Sequence, residues 1–173
     1  MVFEVLPGLP PYGPLPKLIS RTGSPVYREG FVVRFLPGAE REWVGNFQRG
    51  FASLDDVCMH PDGKHVLIIA GGEAYVIDPA SQSVIQSFGG DFESCTPLPG
   101  SCVLLLSNAL WIELIGPQGR AWQTRRLAWD GLRVLGVSAD EMFGEARHFD
   151  DSWHAFSVRL SDGKASGGAY DGP

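Results

Sequence analysis

The chain is poor in the residues that anchor many common functions. Of 173 residues only three are cysteine, three methionine and four histidine, which excludes a disulfide-dense secreted scaffold. Cys58, Cys95 and Cys102 are odd in number and lie in or beside apolar strand-like runs. That fits buried thiols in a reducing cytoplasm, with a Cys95 to Cys102 bond left open as the one alternative. Long apolar runs are also missing: the longest is Val66 to Ala70, against roughly 20 residues for a membrane-spanning helix, so no membrane partner is expected. Glu4 stands where a secretory leader would place lysine or arginine, and Pro7, Pro10 and Pro11 break the stretch around it, so this segment is not expected to be a signal peptide and the location is expected to be cytoplasmic. Basic residues are the minority, 14 Lys+Arg against 20 Asp+Glu for a net charge of -6, the wrong sign for a dedicated nucleic-acid binder.

Catalytic signatures are absent as well. No Gly-x-Ser-x-Gly elbow occurs, and the segment Gly116 to Gly119 lacks the lysine and hydroxyl residue of a phosphate loop. The sequence therefore assigns no catalytic residue, no metal ligand and no cofactor, and leans away from an enzyme.

What is present is globular. With 44% hydrophobic and 11% aromatic residues, the chain is long enough to bury roughly 70% of its unfolded surface. Five of the 13 prolines lie between Pro7 and Pro16. Proline holds the chain extended and supplies no backbone donor, so residues 1–25 read as a proline-rich extended arm and residues 26–173 as a single all-β domain. From Val26 onward short apolar runs alternate with Gly, Pro, Asp and Ser, and no stretch of about 12 residues keeps a helical period. Phe31 to Leu36 and Glu42 to Phe47 flank a turn at Pro37, Gly38 and Ala39. Val66 to Ala70 and Glu73 to Asp78 flank Gly71 and Gly72, a pair that tolerates positive φ at both positions. Leu110 to Ile115 turns through Gly116 to Gly119 into Ala121 to Leu127, and Phe156 to Leu160 turns through Asp162 and Gly163 into Lys164 to Ser166. Helical turns are expected only at Phe51 to Asp56 and around Asp140 and Glu141.

A weak internal repeat organises these strands. One unit begins at Pro61, Asp62, Gly63 and passes through Ala74, Tyr75, Val76 and Ile77 to a turn at Asp78 and Pro79. A second begins at Pro99 and Gly100 and passes through Trp111 and Ile112 to Gly116 and Pro117, and a looser third runs from Val134 through Phe143 and Phe156. Units of about 40 residues with three or four strands have the period of propeller blades. The expected fold is therefore all-β, made of three consecutive antiparallel meander units, splayed like part of a propeller or curled into a sandwich or open barrel. Tyr75 and Trp111 are expected to be equivalent and buried. Three units cannot close a ring, so an unpaired edge and a homodimer are expected.

The first unit, with Pro61, Asp62, Gly63 and the run Ala74 to Asp78, resembles the blade repeats of WD40 and YVTN type propellers. The latter half resembles an uncharacterised bacterial protein family through Trp122, Thr124, Arg126, Trp129, Asp130 and Gly131, then Gly144, Asp151, Trp153, Phe156, Val158, Leu160, Gly163, Gly167, Gly168 and Tyr170. This second resemblance implies a self-contained bacterial domain over residues 26–170 and carries no function with it.

Three constellations could hold chemistry. His148, Asp150, Asp151 and His154 fall within seven residues and could ligate a divalent ion in a metal-dependent hydrolase, but the segment reads as a turn in which Asp and His cap the backbone. Cys58 and His60 have dyad spacing, without a readable oxyanion site. The third is the strongest surface candidate: Trp122, Arg125, Arg126, Trp129 and Asp130, with Arg120 and Arg133 nearby. Guanidinium groups beside indoles can clamp an anion or meet a protein partner. They can also belong to a structural strand with Trp122 and Trp129 in the core and arginines paired to Asp130 and Glu141. The expectation is a non-enzymatic protein-interaction or scaffold domain that binds a protein partner or itself. The rivals are a carbohydrate or anion binder and the metal-dependent hydrolase.

Overall fold

The computed structural model describes residues 2–24, 28–36, 41–98 and 104–172. Among these the chain is all-β without a helix, in four sheets of four strands, none closed into a barrel. It divides into two units, Met1–Phe92 and Glu93–Pro173.

In the first unit, β1 (Val2–Leu6), β2 (Lys17–Ile19), β3 (Phe31–Leu36) and β4 (Trp43–Phe47) form a sheet in the order β1-β3-β4-β2. The proline-rich residues expected to be an arm thus contribute two strands. Prolines cluster only between them, and both strands sit at sheet edges, where a chain flanked by residues without donors is tolerated. β2 joins β4 in parallel, Lys17 opposite Gly45. The second sheet is a meander of β5 (Asp56–Met59), β6 (Val66–Ala70), β7 (Glu73–Asp78) and β8 (Ser83–Gly89). The Gly71 and Gly72 turn has φ of 53° and 81°, the positive values the sequence pattern requires.

Between these sheets lies an aromatic core. Phe35 stacks on Trp43 at 4.2 Å, Phe47 meets Phe35 edge-on at 6.3 Å, and Tyr75 lies 5.6 Å from Phe47. The polar ends of the larger rings are satisfied: Trp43 Nε1 donates to the Pro79 carbonyl at 3.0 Å, and the Tyr75 hydroxyl to the Gln48 carbonyl at 2.8 Å. The expected helical turn at Phe51 to Asp56 is absent. Instead Phe51 N donates to Gly90 O, Ala52 N to Gly71 O, and Leu54 O accepts from Gly72 N, so the segment is held by bonds to the glycine turns rather than by bonds within itself.

The second unit holds two meanders. One is β9 (Ser94–Pro97), β10 (Leu104–Ser107), β11 (Ile112–Gly116) and β12 (Gly119–Gln123), the other β13 (Leu132–Val137), β14 (Glu141–Arg147), β15 (Trp153–Arg159) and β16 (Ala165–Gly167). Glu141 therefore opens a strand where a helical turn was expected. Leu98, Ile112, Leu114, Leu127, Met142, Phe156 and Val158 form its core.

There are four sheets where three units were expected, because a count that starts at Val26 omits β1 and β2. The repeat holds at the turns, since Asp78 and Gly116 each end a strand before Pro79 and Pro117, and the registers shift at corresponding places, between Val76 and Ile77 and between Leu114 and Ile115. It slips at the aromatics. Tyr75 is fully buried, whereas Trp111 lies in the turn before β11, half-buried, with its indole on Glu113. The turn from β10 to β11 is two residues longer than the Gly71–Gly72 turn, so alignment by ring type misplaces the strand start. The expected turn at Pro37 to Ala39, Cys102 and any Cys95 to Cys102 bond lie outside the described residues; Cys58 and Cys95 are half-buried.

Candidate functional site

The segment 124–131, which links β12 to β13, is fixed by backbone hydrogen bonds along its length. Leu127 N donates to Leu110 O at 2.8 Å, and Gly131 N to Ala109 O at 2.9 Å. Leu127 O accepts from Ala169 N at 2.8 Å and Tyr170 N at 3.0 Å, and Trp129 N donates to Arg147 O at 3.0 Å. Leu127 and Ala128 are fully buried, so their neighbours point outward. The same bonds bring three distant stretches together: the segment itself, the end of β14 and the chain after β16.

An aromatic cluster results. Trp129 is 37% exposed and Phe149 71%. Their rings meet edge to face at 6.0 Å, and Tyr170 lies 5.1 Å from Trp129. His148 packs on Phe149 at 4.1 Å. The Arg126 guanidinium sits over both Tyr170, at 4.4 Å, and Trp129, at 5.5 Å. Two of its five donors are engaged, Nε with Ala128 O at 2.9 Å and an Nη with Trp129 O at 2.8 Å. Arg125 likewise donates to the carbonyls of Gly167 and Arg126. The expected pairing of these arginines to Asp130 and Glu141 is replaced by bonds to carbonyls, because a linking segment without ladder partners leaves carbonyls that need donors.

Trp122 does not join the cluster. Its indole donates to Leu160 O at 2.8 Å, packs against the second unit's core and covers Gly163, so close that a Cβ there would stand 2.7 Å from the ring. Arg133 stacks on Trp153 at 3.8 Å. Of the five residues singled out in the sequence, Arg126, Trp129 and Asp130 therefore stand at this surface, Arg125 is a backbone staple and Trp122 is structural.

Phe149 and Tyr170 carry little signal as binding residues in the sequence. Each aromatic of the cluster is followed by an aspartate, Trp129 by Asp130, Phe149 by Asp150 and Tyr170 by Asp171, and all three aspartates are exposed. That pattern is present in the sequence, but nothing there shows that the three dipeptides share a surface.

His148, Asp150 and His154 form a hydrogen-bonded hairpin loop, without converging on a common point. Asp150 Oδ1 accepts from Ser152 N and lies 3.0 Å from His148 Nδ1, while the Ser152 hydroxyl contacts both Asp150 and His154 Nε2. The Ser152 hydroxyl, the Ser152 N–H and His148 together hold the Asp150 carboxyl well below the usual carboxylate range. This is turn chemistry. Among the described residues the group whose ligating atoms do converge is His60, Asp62 and His65, and it includes the histidine at dyad spacing from Cys58.

In comparison with known proteins, no family model matches the chain and no curated protein matches it at a significant level.

Proposed function

We infer that the chain is a non-enzymatic binding domain that engages a protein partner through Trp129, Phe149 and Tyr170. The carrying observation is that these rings, from three separate stretches, form one cluster with an exposed aspartate after each ring. Rigid aromatics supply contact area at little entropic cost. The aspartates favour a partner whose apolar contact is bordered by lysine or arginine, so association weakens as salt rises. Arg126 and Arg125 each hold two backbone carbonyls, and Arg126 also lies against two rings, which fixes both guanidinium groups in structural roles and makes an anion clamp the poorer reading.

The test compares the wild-type chain with the Trp129→Ala, Phe149→Ala double variant as bait. Both side chains are exposed enough that the variant keeps its fold, checked by a melting temperature within a few degrees of wild type. A stoichiometric protein retained by the wild type and lost by the variant is the expected result. Equal retention by both, or none by either, overturns the assignment.

A further inference from the structure

His60, Asp62 and His65 occupy the loop that joins β5 to β6 in the first unit, whereas the residues of the aromatic cluster belong to the second. The loop is tightly closed. His60 N donates to His65 O at 2.9 Å and Gly63 N to His60 O at 2.9 Å, with Gly63 at φ 71°. Asp62 Oδ1 accepts from Lys64 N at 2.8 Å and His65 N at 3.0 Å, the ordinary work of an aspartate that caps a turn.

These two turn bonds use one of the two carboxylate oxygens. Asp62 Oδ2 points the other way, 3.0 Å from His60 Nδ1 and 2.6 Å from His65 Nδ1. The three ligating atoms lie within 4.8 Å of one another. The Asp62 N–H lies 3.3 Å from His60 Nδ1, a long contact beside the 3.0 Å and 2.6 Å imidazole–carboxylate distances. Each Nδ1 offers either one proton or one lone pair: protonated, it donates to Asp62 Oδ2, and with both Nδ1 atoms unprotonated the two lone pairs and the anionic oxygen can share a cation. The His60 side chain is 5% exposed, Asp62 19% and His65 28%, so the group is closed on one side and reachable by solvent on the other.

We propose that His60 Nδ1, Asp62 Oδ2 and His65 Nδ1 form a three-ligand site for a divalent transition cation of the zinc type, with a fourth position left to water. Two imidazoles and one carboxylate suit zinc, whereas calcium and magnesium take mostly oxygen ligands. Tetrahedral metal-to-ligand bonds of about 2.0–2.1 Å set ligand atoms about 3.3 Å apart, so Asp62 Oδ2 must part from His60 Nδ1 by about 0.3 Å and from His65 Nδ1 by about 0.7 Å, the larger move falling on the more exposed ring. Asp62 is suited to the part. Its partial burial works to raise its pKa, but the His65 N–H and imidazole, the Lys64 N–H and nearby His60 outweigh that and hold it well below the usual carboxylate range.

The test is calorimetric titration of the untagged full-length chain with Zn2+, with bound zinc measured after dialysis, alongside Asp62→Asn and His65→Ala. The Asp62→Asn variant retains a side-chain oxygen to cap the turn and loses the anionic ligand, so it separates the loop's fold from its metal. Melts without zinc establish that both variants fold. The expected result is one equivalent bound by the wild type, with affinity in both variants reduced beyond the roughly 10–100-fold that loss of a ligand's outer partner costs. Absence of a bound equivalent at micromolar Zn2+ overturns the site. So does an equivalent retained by either variant, which would place the metal elsewhere, for instance at His148 and His154.

Discussion

Glu73 is a carboxylate that its surroundings satisfy only in part. It is 6% exposed, its Oε1 is buried without a hydrogen-bond partner, and its Oε2 lies 3.5 Å from an Arg21 Nη that already donates to the Gly89 carbonyl at 2.9 Å. Burial raises its pKa, Arg21 works against the rise, and Asp91 adds to it. A group with a raised native pKa contributes stability that is fully present below its unfolded value and is lost as pH rises through its native value. Glu73→Gln keeps the shape and removes the ionisation. The variant is therefore expected to gain stability relative to wild type between about pH 4 and about pH 8, read as the difference in urea midpoints at the two pH values. A difference that does not change with pH would show that Arg21 neutralises the charge. Nothing in the sequence marks this residue, because a glutamate straight after two glycines reads as a solvated turn. His65 is hidden for a related reason: it follows the turn motif Pro61, Asp62, Gly63, and the motif absorbs the attention due to the side chains around it.

The Gly71–Gly72 turn shows what is legible at the scale of elements. Two glycines between apolar runs imply a hairpin with positive φ, and the backbone adopts it. The turn is also a hub, which the sequence does not reveal. Gly72 N donates to Leu54 O, and Gly72 O accepts from Gly90 N and Phe92 N. A Cβ on Gly72 would stand 2.8 Å from the Phe92 backbone and from Ala52 Cβ, whereas one on Gly23, at φ 70°, would meet nothing within 4 Å. Gly72→Ala is thus expected to cost about 2 kcal/mol or more, from crowding added to strain, and Gly23→Ala about 1 kcal/mol, from strain alone. Chemical denaturation of both variants checks this, and equal costs would mean that Phe92 yields freely. Strands bounded by Gly, Pro and Asp are readable because turn chemistry is local. β1 and β2 are not, since proline-rich flanks disguise edge strands whose partners, β3 and β4, lie further along the chain. For the same reason the aromatic cluster is half legible: Trp129 announces itself, but only long-range backbone bonds bring Phe149 and Tyr170 to it.

Across the whole molecule burial is unevenly spread within each sheet, and local stability should follow it. β4, β6, β7 and β11 are almost entirely buried and β3 mostly so, while β8 and β12 are largely exposed. Strands with few buried contacts open at low free energy, so amide hydrogen exchange should be slowest in β3, β4, β6, β7 and β11 and fastest in β8, β12 and β16. β8 makes this an informative measurement. It ends the second sheet, it carries no charged residue between Ser83 and Gly89, and Val84 and Ile85 are 41% and 55% exposed. Edge strands are usually blunted by charge, proline or a covering segment, because an uncharged edge invites pairing with another chain. The expected outcome at low micromolar concentration is fast exchange throughout β8. Protection in β8 equal to that in β7 would contradict the gradient. If that protection vanished on dilution, it would identify a second copy of the chain as the cover and place the twofold contact at this edge.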